Sequence, residues 1–247
     1  SLNFSKLHPD YIDFVASVPI EGFQVKIIGD IQNQQCLHMQ AMRVNKPGLL
    51  DFVGYTEDVS SELSTINVLA YIQNPTHYGT NENALLEAMA MGIVPVVLNN
   101  PAENEIVEHG VTGLIVNDSN EFSKAIVWLK EHPYERTILG LNAAEKIKEK
   151  HTREKLARAF SKHYRSTELE EKQKIDFSKL FGEKPSDWFL SCRKDKTIFT
   201  EDGGVNLPDD KVSHFALLEN TKGSASHFYS YFPSDTKLAM WAKQLAS

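Results

Sequence analysis

The feature that most constrains the fold is a regular alternation of short apolar runs with helix-forming segments. Five such apolar runs lie at positions 23–30, 49–53, 68–72, 94–98 and 113–116. Turn-forming residues lie at or near the ends of these runs, and apolar residues recur at helical spacing in several of the segments between them. Strands that alternate with helices form βαβ units, whose strands pair in parallel. The sequence therefore predicts an α/β fold with a parallel sheet.

Charge and cysteine content narrow the class of protein. The net charge of −7 over 247 residues argues against a nucleic-acid partner, whose binding surface should be basic. Cys36 and Cys192 are too few for a disulfide framework, and the nine histidines show no metal-ligand spacing, so we expect no metal. No apolar run could span a bilayer and no signal peptide is visible, so we expect a cytoplasmic protein. The first residue is not Met, and we expect an excised fragment.

The most informative stretch covers positions 67–116, and its centre is a loop that runs into a helix. The loop reads His77-Tyr78-Gly79-Thr80-Asn81, and the helix is predicted over 82–91. Such units place helix N-termini at the carboxyl edge of a parallel sheet, where ligands bind. Gly79 permits close backbone approach, and Thr80 or Asn81 can cap the helix while its free N–H groups bind phosphate oxygens. Capping alone would also explain this loop, and the two roles do not exclude each other.

Two carboxylates of this helix are candidate ligand-binding groups. Glu87 lies a full turn inside the helix among residues that look buried, and a carboxylate held there needs hydrogen-bond donors. Ribose hydroxyls would supply two donors, whereas an exposed helix carboxylate is the equally weighted alternative. Glu82 lies in the first turn, where it suits the helix dipole but would repel a diphosphate. It must either turn away or bind sugar hydroxyls.

Four further residues are candidates for the site. Two glutamates and a histidine lie within this stretch, and one lysine precedes the first strand. Glu103 and Glu105 begin the next short helix and could either contact a ligand or complement the helix dipole. Lys6 precedes the first strand and could either neutralise a phosphate or remain solvated. His77 is the only histidine near the proposed site. The residues by themselves leave these alternatives open.

The last part of the chain differs in character. A charged helical region follows Pro133, and we expect its apolar stripes to pack on the sheet's edge; they consist of Ile138, Leu141, Ala144 and Ile147, then Leu156, Phe160 and Tyr164. After Ile175 aromatic residues become frequent, and a final helix is predicted over 238–245, started by Ser234 or Asp235. We therefore predict a domain at 1–170 and an extension of unknown role at 171–247. The extension is too short to bury much surface alone, and we expect it to dock on the sheet domain.

Several motifs resemble the carboxyl-terminal domain of retaining GT-B glycosyltransferases, glycosyltransferase family 4 in particular. The matching residues are Asp51-Phe52-Val53-Gly54-Tyr55, Asn74-Pro75-Thr76, the run 84–97 with its LLEAMA-G-P-V core, and the run 105–116. The resemblance covers about Lys6 to Tyr164. It implies a Rossmann-like parallel sheet with helices on both faces, followed by a small aromatic-rich extension. It also implies a donor site for a nucleotide diphosphate sugar, UDP- or GDP-linked, which is a substrate and not a cofactor.

The resemblance also implies a role for each candidate residue. Glu87 matches the second Glu of the family's EX7E motif, which holds the donor ribose, and Lys6 looks like the lysine that contacts the diphosphate. Asn81, Glu82 and Asn83 occupy the loop over phosphate and sugar, and Gly54 and Tyr55 lie where the base is bounded. The helix N-terminus at 80–83, which includes Thr80, would stabilise the leaving diphosphate together with Lys6.

One position departs from the family's pattern. The first Glu of EX7E, which commonly meets the transferred sugar, falls on Gly79. We hypothesise that Glu82, three residues after Gly79, takes the place of this missing glutamate as the catalytic carboxylate. The family's amino-terminal acceptor domain is absent from this sequence, so we expect the fragment to be inactive alone. Any peripheral membrane association is expected only through that missing half.

The resulting interpretation is the donor-binding half of a hexosyltransferase that acts on a glycan or lipid-linked acceptor, as in polysaccharide biosynthesis. Its partners are a nucleotide sugar and the acceptor domain of the full-length protein. Two alternatives remain. One is a nucleotide-sugar epimerase on the same architecture, and the other is a non-catalytic scaffold whose site has degenerated.

Overall fold

The computed structural model describes residues 2–29, 33–77, 79, 82–210, 214, 217–220 and 222–246. The chain divides into two compact units. The first comprises Ser1–Leu2 and Lys6–Leu169, and the second comprises Asn3–Ser5 and Glu170–Ser247. No helix in the described ranges is both long and apolar enough to cross a membrane.

The first unit contains the predicted parallel strands. They are β1 (Val25–Ile28), β2 (Leu50–Gly54), β3 (Val68–Tyr71), β4 (Val94–Leu98) and β5 (Leu114–Val116). β1 pairs with β2, and β4 lies between β3 and β5; all of these pairs are parallel. Every residue of β4 is buried, as expected for a central strand covered on both faces. The parallel α/β class predicted from the sequence is confirmed, although the described strands pair as two groups and not as one continuous ladder.

Helices lie between these strands and after them. They are α1 (Tyr11–Ala16), α2 (Gln34–Arg43), α3 (Val59–Leu63), α4 (Asn83–Ala90), α5 (Pro101–Ile106), α6 (Ser119–Glu131), α7 (Pro133–Lys150) and α8 (Arg153–Glu168). Helix α6 begins after Asp118, whose side chain accepts a hydrogen bond from the Glu121 N–H. Its apolar face is buried and includes Phe122, Ile126 and Leu129.

Helix α7 packs through a different face from the one predicted. The structure buries Leu139, Gly140, Ala143 and Ile147, whereas Ile138 and Leu141 of the predicted stripe are exposed. The reason is a close approach between two backbones: a Cβ added to Gly140 would lie 2.2 Å from the carbonyl oxygen of Gly92. Only a face that carries glycine lets α7 come this near to the turn that follows α4.

The expectation that α8 packs on the sheet's edge is wrong. Leu156, Phe160 and Tyr164 form an apolar stripe along the helix, but their side chains are exposed, and every residue of α8 is exposed. The stripe has the correct helical spacing, yet no element of the first unit covers it. Helical periodicity therefore predicted the helix correctly but not its packing partner.

The second unit has an apolar core of its own, built largely from aromatic side chains. Its helices are α9 (Ser178–Phe181), α10 (Pro185–Ser191), α11 (Ala225–Tyr231) and α12 (Thr236–Leu245). Phe189, Phe199 and Trp241 are buried and pack edge to face or tilted against one another. The predicted final helix is confirmed, with Asp235 as its N-cap accepting from the Leu238 N–H. This core is more extensive than the short length of the tail suggested.

The contact between Gly140 and Gly92 can be tested by substitution. We expect Gly140→Ala to lower the free energy of unfolding, because the new methyl group would overlap a backbone oxygen that cannot move aside. Overpacking of this kind costs about 1–3 kcal/mol, which exceeds the roughly 1 kcal/mol that alanine adds through helix propensity. Urea unfolding followed by far-ultraviolet circular dichroism measures the difference. Leu141→Ala, on the exposed side of α7, is the control and should change the value by less than about 0.5 kcal/mol. A more stable Gly140→Ala variant would contradict the close approach.

Candidate functional site

A cavity of about 620 Å³ opens in the first unit, beside β1, β3 and the start of α4. Its volume lies within the range of small-molecule sites. Six of the predicted site residues line it, namely Lys6, Tyr55, Gly79, Glu82, Asn83 and Glu87. Gly54 is not part of the lining, although its carbonyl oxygen accepts a hydrogen bond from the Gly29 N–H next to the cavity. The predicted site residues Thr80 and Asn81 lie outside the described part of the chain.

The N-terminus of α4 faces this cavity. The structure places the N-cap at Glu82, whereas the predicted capping residues, Thr80 or Asn81, lie outside the described part of the chain. Glu82 has φ 29° and ψ 50°, a conformation that residues other than glycine rarely adopt, and its side chain makes no capping hydrogen bond. The Glu82 carboxylate turns away from the helix end, so it does not accept hydrogen bonds from the first N–H groups of α4.

Glu87 is exposed, not enclosed as its small neighbours suggested. The helix buries Leu85, Ala88 and Met89, and Glu87 lies on another face. That face also carries Asn83 and Ala84, which are one turn earlier and line the same cavity. Glu87 is therefore a solvent-accessible carboxylate at the cavity wall, able to accept hydrogen bonds from a ligand.

Glu82 has the opposite environment, because its side chain is only 2% exposed. The Tyr71 hydroxyl donates a hydrogen bond to its Oε2 atom. Burial and this carboxylate together raise the pKa of Tyr71 above its ordinary value, so the phenol stays protonated and remains a donor. The other oxygen, Oε1, is buried and has no hydrogen-bond partner among the residues that the structure describes.

The position of this carboxylate depends on Gly79. A Cβ built on Gly79 would lie 1.6 Å from Glu82 Oε1, so the carboxylate occupies the space that a side chain at position 79 would need. The glycine that departs from the family's motif therefore makes room for the glutamate three residues later. This arrangement accounts physically for the coexistence of Gly79 and Glu82.

His77 and Glu103 complete the polar cluster beneath the cavity. Their side chains are 4% and 0% exposed, and His77 Nε2 lies 3.2 Å from Glu103 Oε1. The Gly79 N–H donates to His77 Nδ1 over 3.0 Å, and the Asn100 amide donates to Glu103 over 3.4 Å. Glu103 is thus a buried partner of His77 and not an exposed residue that complements the helix dipole, whereas Glu105 is exposed.

Several polar residues of the cavity wall were missed by the sequence analysis, and of these Tyr71 and Gln73 lie nearest the end of β3. Tyr71 is the last residue of β3, and Gln73 follows two positions later; both line the cavity. Gln73 Oε1, like Glu82 Oε1, is buried without a hydrogen-bond partner in the described ranges. The available signal was their position at the carboxyl end of a parallel strand, where ligands usually bind.

The cavity therefore combines acceptors for hydroxyl groups with groups suited to an anion. Glu82, Gln73 and Glu87 can accept hydrogen bonds, while Lys6 and the start of α4 can face negative charge. No group of three or more His, Cys, Asp or Glu residues suitable for a metal ion occurs within the described residues. The lining fits a polyhydroxylated ligand that carries phosphate.

Comparison with known sequences gives one family. The model of the family described as Glycosyl transferases group 1 matches residues 10–132. This segment spans β1 to β5 and includes every described cavity residue discussed above except Lys6. Among curated proteins, none matches the sequence significantly.

Solved structures with the same fold include several glycosyltransferases. The HepE protein of Anabaena, in complex with UDP, superposes with a TM-score of 0.58 at 20% identity and covers 64% of this chain. A glycosyltransferase from Rickettsia africae gives 0.57 at 11% identity and covers 66%, and sucrose-phosphate synthase from Thermosynechococcus elongatus gives 0.57 at 21% and covers 64%. The match covers 45%, 45% and 42% of these proteins, so it spans less than half of their length. The fold is that of a GT-B glycosyltransferase domain, as the resemblance implied.

Proposed function

Residues 10–132 belong to the Glycosyl transferases group 1 family, and we propose that the cavity of the first unit is the nucleotide-sugar donor site of a glycosyltransferase. The observation that carries this proposal is Glu82 Oε1, which is buried at the cavity wall next to the N-terminus of α4 and has no hydrogen-bond partner among the described residues. A buried carboxylate oxygen without a donor costs free energy, and a sugar hydroxyl would remove that cost. Complexes of HepE with UDP and with UDP-glucose support this class of ligand.

Each part of the donor has a matching group in the cavity. The two oxygens of Glu87 accept hydrogen bonds from the ribose hydroxyls, and Tyr55, which is 81% exposed, bounds the base. Lys6 and the N–H groups at the start of α4 bind the diphosphate. Glu82 Oε1 then binds a hydroxyl of the transferred sugar. The donor is a UDP- or GDP-linked hexose.

The reaction is a transfer that retains the anomeric configuration. The bond between the anomeric carbon and the diphosphate oxygen breaks, so positive charge develops on the sugar and negative charge on the leaving group. The oxygen of an acceptor hydroxyl bonds to the anomeric carbon, and the hydroxyl proton passes to the leaving diphosphate. Lys6 and the helix N-terminus stabilise the leaving diphosphate. The buried carboxylate of Glu82 positions the sugar and lies near the developing positive charge. The acceptor, a glycan or a lipid-linked sugar, binds to a separate amino-terminal domain of a longer, cytoplasmic protein.

The geometry favours a working site over a degenerate one. The missing carboxylate at position 79 is the main argument for a non-catalytic scaffold. Glu82 supplies a carboxylate in the same space, and it does so in a strained backbone conformation at the N-cap. Strain of this kind is retained where the surrounding structure stabilises it, and it concentrates at ligand sites.

The nucleotide part of the proposal is tested by Glu87→Ala. We expect the substitution to weaken UDP binding roughly 10-fold or more, because two hydrogen bonds to a charged group are lost. Calorimetric titration with UDP, repeated with GDP, measures the affinities. Glu108→Ala, which removes an exposed carboxylate outside the cavity lining, is the matched control and should bind like the parent chain. Unchanged affinity of Glu87→Ala, or no binding of either nucleotide at millimolar concentration, contradicts a donor site in this cavity.

The sugar part is tested by Glu82→Gln. The substitution removes the charge but keeps the size, so we expect affinity for UDP-glucose to fall about 3- to 10-fold while affinity for UDP changes little. Parallel titrations with the two ligands give the ratio directly. Glu105→Gln, an exposed glutamate on α5, is the control. Equal losses for UDP and UDP-glucose would show that Glu82 does not contact the sugar.

A further inference from the structure

His77 lies between two carboxylates, and its hydrogen bonds determine which ring nitrogen carries a proton. Nδ1 accepts from the Gly79 N–H over 3.0 Å, so Nδ1 has no hydrogen in this arrangement. The proton is therefore on Nε2, which lies 3.2 and 3.3 Å from the two oxygens of Glu103 and donates to that carboxylate. This is the neutral tautomer with Nε2–H.

The same nitrogen that accepts from Gly79 also faces Glu82. His77 Nδ1 lies 3.7 Å from Glu82 Oε1, the oxygen that has no hydrogen-bond partner in the described part of the chain. An unprotonated Nδ1 has no hydrogen to offer, so Oε1 stays available to the cavity. A protonated Nδ1 is a donor, and a small shift would bring it into a charged hydrogen bond with Oε1.

We propose that His77 is a positioning residue whose protonation at Nδ1 decides whether Glu82 can bind the sugar of the donor. In the neutral state Gly79 is held through its N–H, and Glu82 Oε1 accepts from the sugar hydroxyl. In the protonated state Nδ1–H pairs with Oε1, and the Gly79 N–H loses its acceptor. The inference rests on the proposed nucleotide-sugar site and adds pH control to its sugar contact.

The charged groups around His77 raise the pKa of its ring. Glu103 on α5 raises the pKa of His77, both by its hydrogen bond and by its charge, and the charge of Glu82 acts in the same direction. Burial and the charge of Lys6 oppose them, but the net pKa lies above the ordinary value of histidine. Tyr71 joins this group through its hydrogen bond to Glu82, and the charge of Glu103 also acts on its hydroxyl. Because the pKa of His77 is raised, protonation begins at a higher pH than for an ordinary histidine, and sugar binding weakens as the pH falls.

The first experiment follows the ring nitrogens of His77 by nuclear magnetic resonance in the chain without ligand. His77→Gln identifies the signal by its loss. We expect the Nε2–H tautomer at high pH, and Glu103→Gln should lower the titration midpoint by on the order of one pH unit, because it removes the nearest negative charge. Glu82→Gln should lower the midpoint by less, and Glu105→Gln should leave it unchanged. An Nδ1–H tautomer, or a midpoint that does not respond to Glu103→Gln, overturns the proposal.

The second experiment measures UDP-glucose affinity by calorimetry from about pH 5.5 to about pH 8, the range in which a histidine titrates. UDP-glucose is chosen because both of its phosphates are esterified, whereas the terminal phosphate of UDP itself gains a proton in this range. We expect affinity to fall about 3- to 10-fold toward low pH in the parent chain. His77→Gln keeps a donor for Glu103 but has no Nδ1, so its affinity should not vary with pH.

The outcomes separate this inference from the proposed function. A parent affinity that is constant with pH overturns the inference, and if Glu82→Gln still weakens UDP-glucose selectively, the donor site stands. If Glu82→Gln affects UDP and UDP-glucose equally, the proposed sugar contact fails and the inference fails with it. A fall that persists in His77→Gln also overturns the inference, because another group would then be responsible. Thermal unfolding of each variant over the same pH range shows that the protein stays folded.

Discussion

The site depends on a carboxylate that is buried at the start of α4, against the last residue of β3. Glu82 is almost fully removed from solvent, and a charged group in that position must be balanced by donors. Tyr71 satisfies one oxygen, and nothing in the described residues satisfies the other. The carboxylate fits at the cavity wall because Gly79 has no side chain and because the backbone of Glu82 adopts a strained conformation. A ligand with hydroxyl groups would supply the missing hydrogen-bond donor to the second oxygen.

The parallel fold brings these groups together from distant positions in the chain. Tyr71 ends β3 and His77 follows it, whereas Glu103 lies on α5 after β4, and the two strands are paired neighbours. Helix α4 begins at Glu82, and its far end is fixed by the close contact between Gly92 and Gly140 of α7. The packing of α7 against the turn after α4 therefore helps to fix the position of α4, whose first residues line the cavity.

Much of the fold followed from local pattern. The strands, the start of α6 and the final helix are marked by apolar runs and capping residues, which act within a few positions of the chain. The face of α7 did not follow, because it depends on Gly92, which is distant in sequence. The exposure of Glu87 could have been inferred from the spacing of Leu85, Ala88 and Met89, which define the buried side of α4. The link between Gly79 and Glu82 did not follow from the sequence, since it arises from an unusual backbone conformation that residue types do not reveal.

The most direct test of the account is to map UDP-glucose onto the protein through the chemical shifts of its backbone amides. Added UDP-glucose should change the chemical shifts of the backbone amides of Gly79, Asn83 and Ala84, which line the cavity at the start of α4. The amides of Gly22 and Gly48, which line a second cavity near the start of β1, should remain in place. Shifts centred on that second cavity, or an unchanged signal from the residues at the start of α4, would contradict a donor site built around Glu82.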